Sequence, residues 1–132
     1  MADACFSQIK MHPILGTIMI YARDMQHSAA FYRTHFGLST TGEVVEGLIE
    51  LKASDGGASI LIHQAAKSVK LGQAGVKLCF HVPDVEAFKA HALTQGLAFG
   101  STHQANGYAF ANVKDPDGNA VSISSRAFRA GG

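Results

Sequence analysis

Apolar and polar positions alternate in short runs along the chain, and the same order of runs occurs twice, about 60 residues apart. An apolar stretch at residues 18–25 runs through an acidic residue into a helix-like segment, and residues 78–85 repeat that layout. Each copy closes with a glycine-containing turn before a further apolar stretch, at residues 58–64 and 120–125. A repeat of this length is one supersecondary unit, which cannot bury its apolar face alone. The two copies are therefore predicted to pack together with a groove between them.

The first copy is predicted to contain one helix and four strands. The helix spans residues 25–36, where Asp24 is suited to cap the amino end and Gly37 to end the segment. Apolar side chains recur along this segment every three or four residues, which places them on one face. The four strands are predicted at residues 14–21, 38–43, 48–53 and 59–64.

The second copy is predicted to repeat this order. Its helix spans residues 85–95, with Asp84 as the cap and Gly96 at the end. The sequence Asp-Pro-Asp-Gly at residues 115–118 indicates a tight turn, because proline presets φ and glycine accepts a positive φ. The four strands are predicted at residues 76–82, 97–104, 108–113 and 120–125.

Each copy thus has the order strand–helix–strand–strand–strand, which predicts an α+β fold. We expect tandem βαβββ modules that form a curved mixed sheet around a cleft, with the helices outside. The 132 residues form a single domain in this interpretation. Module one covers about residues 14–64, a linker 65–75 and module two about 76–125, with a loose arm at 1–12 and a frayed tail at 127–132. A single ferredoxin-like unit is the competing fold, but it leaves the second Asp-Gly strand unexplained.

Composition and charge narrow the classes of function. Hydrophobic residues make up 47% and charged residues 16% of the chain, which is typical of a globular protein. The formal net charge is +1 with no basic run, which argues against nucleic-acid binding, and no apolar run is long enough to span a membrane. Cys5 and Cys79 lack the spacing of a metal or redox motif. We therefore expect reduced thiols and a cytoplasmic location.

Two motifs carry a resemblance to a known family. Residues 22–32 (Ala-Arg-Asp-Met-Gln-His-Ser-Ala-Ala-Phe-Tyr) precede Phe36-Gly37-Leu38, and residues 112–119 read Asn-Val-Lys-Asp-Pro-Asp-Gly-Asn. Together, in register with the repeat, they resemble the glyoxalase/bleomycin-resistance/extradiol-dioxygenase family, the vicinal oxygen chelate superfamily. The resemblance implies paired βαβββ modules around a U-shaped cleft, commonly in a homodimer. It also implies a divalent metal held by His and Glu side chains on the first and last strands of each module.

The residues at those four metal-ligand positions are not usual metal ligands. By the resemblance, the first-strand positions are Thr17 and Lys77, and the last-strand position of module two is Ser122. The matching residue of module one is Ile60 or Leu61, depending on the alignment of the Gly56-Gly57 turn. Lys77 must lose its proton to donate a lone pair, which costs about 4–5 kcal/mol at pH 7. We therefore expect no metal at the family position and no other cofactor.

Strand alternation predicts which side chains face the cleft. The resemblance implies that one face of the strands lies toward the cleft. This face carries alternate residues of the first strand of each module, together with Ser122 of the last strand. His63 joins them if Leu61 points inward, and Tyr108 lies near a turn between strands, where loops often touch ligand. The predicted ligand-binding residues are Thr17, Met19, Tyr21, His63, Lys77, Cys79, His81, Tyr108 and Ser122.

Three functions remain open from the sequence. The first is a metal-free protein that binds or sequesters a small organic molecule, with Lys77 at an anionic or carbonyl group of the ligand. The second is a lyase, isomerase or dioxygenase, either with a relocated metal on His63 or His81, or with His81 and Tyr21 as an acid–base pair. The third is a dimeric interaction module with a vestigial cleft. In each case the partners are a small molecule or a second copy of the chain.

Overall fold

The computed structural model describes residues 12–130, so most of the predicted arm and the last two residues of the predicted tail lie outside the described residues. Module one contains strand β1 (Thr17–Ala22), helix α1 (Met25–Phe36), and strands β2 (Leu48–Leu51) and β3 (Ser59–Gln64). As predicted, the Asp24 side chain accepts a hydrogen bond from a backbone N–H of the first turn of α1. A single local hydrogen bond therefore fixes where the helix starts.

Module two repeats the order with one more strand. It contains β4 (Lys77–His81), helix α2 (Val85–Thr94), and strands β5 (His103–Gln104), β6 (Ala109–Lys114) and β7 (Ala120–Ser124). A short 3₁₀ helix (Arg126–Phe128) follows β7, so part of the segment predicted as a frayed tail is ordered into a turn.

The strands form two mixed sheets. Sheet one has the order β1-β3-β2 and sheet two the order β4-β7-β6-β5. In each sheet the first strand of the module pairs in parallel with its last strand, and the remaining pairs are antiparallel. The α+β class and the tandem arrangement of two modules are thus confirmed. Among residues 12–130, module two has the complete βαβββ order, whereas module one has the order βαββ, and the strands form a three-stranded and a four-stranded sheet.

The strand predicted at residues 38–43 is wrong, because only an isolated antiparallel bridge between Ser39 and Lys52 is present there. The hydroxyls of Thr40 and Thr41 accept hydrogen bonds from backbone N–H groups two residues further on. Such local bonds compete with pairing to a neighbouring strand. Gly42 then takes a φ of 76°, which turns the chain out of the extended conformation.

The strand predicted at residues 97–104 is shorter than expected and retains only His103 and Gln104. Leu97 and Phe99 pack their side chains into the hydrophobic interior instead. At the amino end of the chain, the predicted strand 14–21 begins only at Thr17, and Ile14 is 78% exposed.

The hydrophobic core lies between the two modules and the helices. One cluster joins Tyr32 of α1 to residues of both sheets, including Ile62 of sheet one and Val121 of sheet two. The ring of Phe36, at the end of α1, stacks on Phe80 of β4 with 4.2 Å between ring centroids. Helix α1 therefore packs on both modules. Within residues 12–130, no helix is long and apolar enough to cross a membrane.

Candidate functional site

Each sheet has one face packed on the core and one face turned away from it, which we call the open face. Strand alternation separates the two, because Ile18 and Ile20 pack against the core cluster while Met19 and Tyr21 are 45% and 49% exposed. Residues paired directly across strands share a face, so the register extends the assignment to the whole sheet. The open face of sheet one carries Thr17, Met19, Tyr21, Leu48, Glu50, Lys52, Ser59, Leu61 and His63.

The register settles which residue occupies the last-strand position of module one. Leu61 pairs with the third residue of β1, as Ser122 pairs with the third residue of β4. Ile60 lies on the other face and is 3% exposed in the core. The residue that matches Ser122 is therefore Leu61, and His63 shares its face.

An imidazole and a phenol lie together on the open face of sheet one. The ring centroids of Tyr21 and His63 are 5.2 Å apart. The Nδ1 of His63 lies 2.8 Å from the backbone carbonyl oxygen of Gln64. Because a carbonyl oxygen accepts only, Nδ1 carries the proton in this bond and Nε2 is left as an acceptor.

The rest of this face is acidic and forms a concavity of about 530 Å³. Glu50 pairs with Leu61 across β2 and β3, so its carboxylate shares the open face. Glu43 and Glu46 line the same concavity from the preceding loop, and Lys52 is its single cation. Sequence reasoning missed Glu50, since a cross-strand neighbour is visible only once the register is known.

The open face of sheet two is basic and aromatic. Lys77 donates a hydrogen bond from Nζ to the Oδ1 of Asn112 over 2.9 Å, and its ammonium lies 5.8 Å from the ring centroid of Phe110. The ring of Phe110 stacks on His103 of β5, with centroids 5.0 Å apart. Asn112 and Phe110 are absent from the sequence-based site. In the sequence, their spacing of two residues along β6 indicates that they share a face, but it does not indicate whether that face is the open one.

The other predicted residues of module two lie around this face. Ser122 is 2% exposed at the centre of the sheet, and His81 is exposed at the end of β4. Cys79, also predicted to face the cleft, is an exposed free thiol. The ring of Tyr108 lies between two guanidinium groups, at 5.9 Å from that of Arg126 and 5.7 Å from that of Arg129. Tyr108 therefore has cationic neighbours at the edge of the sheet.

The two members of the predicted acid–base pair, Tyr21 and His81, lie in different sheets. Tyr21 and His63 belong to sheet one, whereas His81 and Tyr108 belong to module two. The imidazole beside Tyr21 is that of His63, not that of His81. Among residues 12–130, no three His, Cys, Asp or Glu side chains are grouped as a metal site would require.

The two sequence motifs meet in the structure and join the modules. In α1, the hydroxyl of Ser28 donates to the Oδ2 of Asp117 over 2.9 Å, and the phenol of Tyr32 donates to the Oδ2 of Asp115 over 2.7 Å. The backbone N–H of Arg23 also donates to Asp117. Burial and the hydrogen bond to Asp115 raise the pKa of Tyr32, so the phenol stays protonated and donates. These polar residues therefore join the two modules, and we call this set of hydrogen bonds the joint between modules.

A second concavity, of about 380 Å³, lies beside the free edge of β1. Met19 and Tyr21 line it together with Val69 and Leu71 of the linker and Leu78 of β4. Two predicted ligand-binding residues thus contribute to a mostly apolar groove between the modules, separate from the acidic concavity of sheet one.

The fold and the open faces define a protein of two tandem α+β modules, βαββ and βαβββ, with polar residues on exposed sheet surfaces. The chain belongs to the Glyoxalase/Bleomycin resistance protein/Dioxygenase superfamily, whose family model matches residues 14–123. The resemblance found in the sequence is therefore confirmed. No curated protein matches the chain.

Solved structures of similar fold include proteins with different roles. A lactoylglutathione lyase from Agrobacterium tumefaciens has a TM-score of 0.66 and 23% identity, over 84% of this chain and 92% of that one. TnmS3, an antibiotic binding protein from Streptomyces sp. CB03234, has a TM-score of 0.72 and 17% identity, over 87% and 97%. A virulence protein from Salmonella typhimurium has a TM-score of 0.69 and 20% identity, over 87% and 98%. At these identities the likeness concerns the fold alone, because one fold hosts many functions.

Proposed function

We propose that this chain binds a small organic molecule on the open faces of its sheets, without a divalent metal. The observation that carries the proposal is Lys77, whose exposed ammonium has only the neutral amide oxygen of Asn112 as its hydrogen-bond partner. Among residues 12–130, the single ion pair is that of Lys89 with Glu86, so Lys77 has no carboxylate partner there. A cation in this state favours an anionic or carbonyl group of a ligand. Thr17, His81 and Ser122 would supply further hydrogen bonds.

The side chains at the four family positions do not fit a divalent metal. Thr17 and Ser122 carry neutral hydroxyls, which are weak ligands, and Leu61 has no donor atom. The ammonium of Lys77 has no lone pair to donate and repels a cation at short range. The proposed binding therefore uses side chains alone. That TnmS3 is an antibiotic binding protein agrees with a binding role.

We also propose that the chain forms a homodimer in the cytoplasm. The open face of sheet one is bordered by Glu43, Glu46 and Glu50, whereas that of sheet two carries Lys77 and Lys114. Opposite charge on two exposed faces favours the approach of sheet one of one chain to sheet two of another, with the ligand held at Lys77 between the two faces. An exposed free thiol, as in Cys79, suits a reducing compartment.

Light scattering coupled to size exclusion tests the homodimer. The wild-type protein is expected at twice the chain mass of 13.9 kDa at low salt, with dissociation favoured as salt screens the faces. Reversing one charge by Glu50→Lys is expected to weaken association, while Ala90→Lys, which adds a positive charge at an exposed position of α2, leaves it unchanged. A monomer in every condition contradicts the homodimer.

Elemental analysis of untagged, chelator-free protein tests the absence of metal. The expected content is near zero metal per chain, before and after soaking in Zn²⁺, Ni²⁺, Fe²⁺ or Mn²⁺. About one metal ion per chain contradicts the proposal and directs attention to His63 and His81.

An NMR titration of ¹⁵N-labelled protein with a set of small carboxylates tests the role of Lys77. Saturable shifts are expected at Lys77, Asn112 and Ser122. Lys77→Met is expected to remove them, whereas Lys67→Met, an equal charge change in the linker, retains them. Equal binding by the two variants contradicts the assignment of Lys77.

A second candidate function is an enzyme that moves protons between a phenol and an imidazole. The observation that favours it is the contact between Tyr21 and His63 on one open face. Catalysed isomerisation or elimination that is lost in both Tyr21→Phe and His63→Gln would support this candidate. Turnover that persists in both variants would exclude that pair.

A further inference from the structure

The register of sheet two leaves a channel along its open face, which we call the β7 trough. Strand β7 presents only small side chains there, namely Ala120, Ser122 and Ser124. The flanking strands present larger ones, so that Ser124 lies between His81 of β4 and Phe110 of β6. The trough therefore has a floor of alanine and serines and walls of larger residues.

The width of the trough suits a flat group. Adjacent strands lie about 4.8 Å apart, so the two strands that flank β7 are roughly 9–10 Å from each other. Side chains stand roughly perpendicular to a sheet, which keeps the walls at a similar separation. A planar ring in contact with both walls needs about 7–8 Å, twice the usual contact distance between carbon atoms. An aromatic ring standing on its edge therefore fits this width.

One wall of the trough is an aromatic face supported from behind. The imidazole of His103 stacks on Phe110 at 5.0 Å with 28° between the planes. On its other side Phe110 pairs with Ser124, whose small side chain leaves that side of the ring without a stacking partner on β7. A ligand ring placed over Ser124 would complete an aromatic stack with Phe110.

The trough ends at a cation. The hydrogen bond from Lys77 to Asn112 crosses β7 between Ala120 and Ser122, because Lys77 comes from β4 and Asn112 from β6. The ammonium lies 5.8 Å from the centroid of Phe110. None of the residues of β4, β6 and β7 on this face is acidic. The ammonium of Lys77 is thus close enough to the stacking position for an anionic group attached to the ligand ring to reach it.

We infer that the β7 trough selects planar aromatic anions, with the ring against Phe110 over Ser124 and the anionic group at Lys77. This inference rests on the proposed binding function and names the class of ligand. Stacking supplies shape selection, the cation supplies charge selection, and only a ligand with both features uses the whole trough.

Three naphthalene derivatives of similar size test both requirements by isothermal titration calorimetry. The probe is 2-naphthoate, decahydro-2-naphthoate has the charge without the aromatic ring, and 2-naphthalenemethanol has the ring without the charge. We expect 2-naphthoate to bind about 2- to 12-fold more tightly than its saturated counterpart, which is the range that an aromatic pair contributes. Phe110→Leu is expected to remove this preference, and Ser124→Leu, which fills the floor, to abolish binding of the probe. Phe128→Leu, at an exposed ring outside the trough, is the matched control.

Each outcome has one meaning. Equal binding of the two carboxylates by wild-type protein overturns the aromatic inference but leaves the proposed anion binding intact. Binding of small carboxylates in the NMR titration without binding of 2-naphthoate has the same meaning. No binding of any carboxylate in either experiment overturns both proposals. The comparison of ligands needs only the wild-type protein, so a variant that fails to fold does not affect it.

Discussion

Removing the phenol hydroxyl of Tyr32 is expected to loosen the joint between the two modules. Tyr32 is fully buried, and its hydroxyl donates to the Asp115 carboxylate over 2.7 Å. A hydrogen bond to a charged group contributes about 1.5–3 kcal/mol to stability. In Tyr32→Phe, Asp115 keeps the bonds from the backbone N–H groups of Asp117 and Asn119 and from the amide of Asn119. The loss is therefore expected in the lower half of that range, about 1.5–2 kcal/mol.

Urea unfolding followed by circular dichroism measures this loss of free energy, and thermal unfolding followed by the same signal measures the change in Tm. For a chain of 132 residues, 1 kcal/mol shifts Tm by roughly 3–5 °C, so Tm is expected to fall by about 5–10 °C. Tyr21→Phe is the matched control, because the same atom is removed from a ring that is 49% exposed, and its effect is expected within about 0.5 kcal/mol. A double-mutant cycle with Asp115→Asn isolates the pair. If Tyr32→Phe is as stable as Tyr21→Phe, the joint contributes nothing and the reasoning is refuted.

Two further perturbations test other parts of the structure. A Cβ added at Gly72, where φ is 75°, would lie 2.9 Å from the carbonyl oxygen of Asp117. Gly72→Ala is therefore expected to lower the free energy of unfolding in urea by about 1–3 kcal/mol. Gly75→Ala is the control and is expected to be neutral, because a Cβ there would meet open space. Burial lowers the pKa of His35, so the unfolded state binds more protons below about pH 6.5 and stability falls there. His35→Leu should reduce the drop in urea midpoint between pH 7.5 and 5.5, and an unchanged drop contradicts this.

Local chemistry explains how much of the fold was predictable. Asp24 and Asp84 were identified as helix caps because a cap depends on residues three positions apart, and both accept the expected backbone bonds. The prediction of a strand at residues 38–43 was wrong for an equally local reason. Thr40 and Thr41 have high strand propensity, but their hydroxyls bond the neighbouring backbone instead.

The candidate site was less predictable because it depends on pairing between distant strands. Alternation within β4 separated Lys77 and His81 from the core side without any structure. Alternation gave no register for β3, so it did not decide whether Ile60 or Leu61 occupies the last-strand position of module one. The pairing of β1 with β3 in the structure decides this. Asn112, the hydrogen-bond partner of Lys77, is 35 residues away along the chain, and no periodicity links two such positions.

The residues of the two family motifs and the proposed ligand-binding residues lie on opposite sides of the sheets. Ser28, Tyr32, Asp115 and Asp117 bond to one another across the modules, on the side where α1 packs. Their pattern follows from folding, so it persists whatever the open faces bind. Exposed positions such as Lys77 tolerate substitution at little cost in stability, because they leave the core unchanged. Chemistry can therefore change on the open faces while the motifs stay constant, so the motifs specify the fold of the superfamily and the proposed ligand depends on the open faces alone.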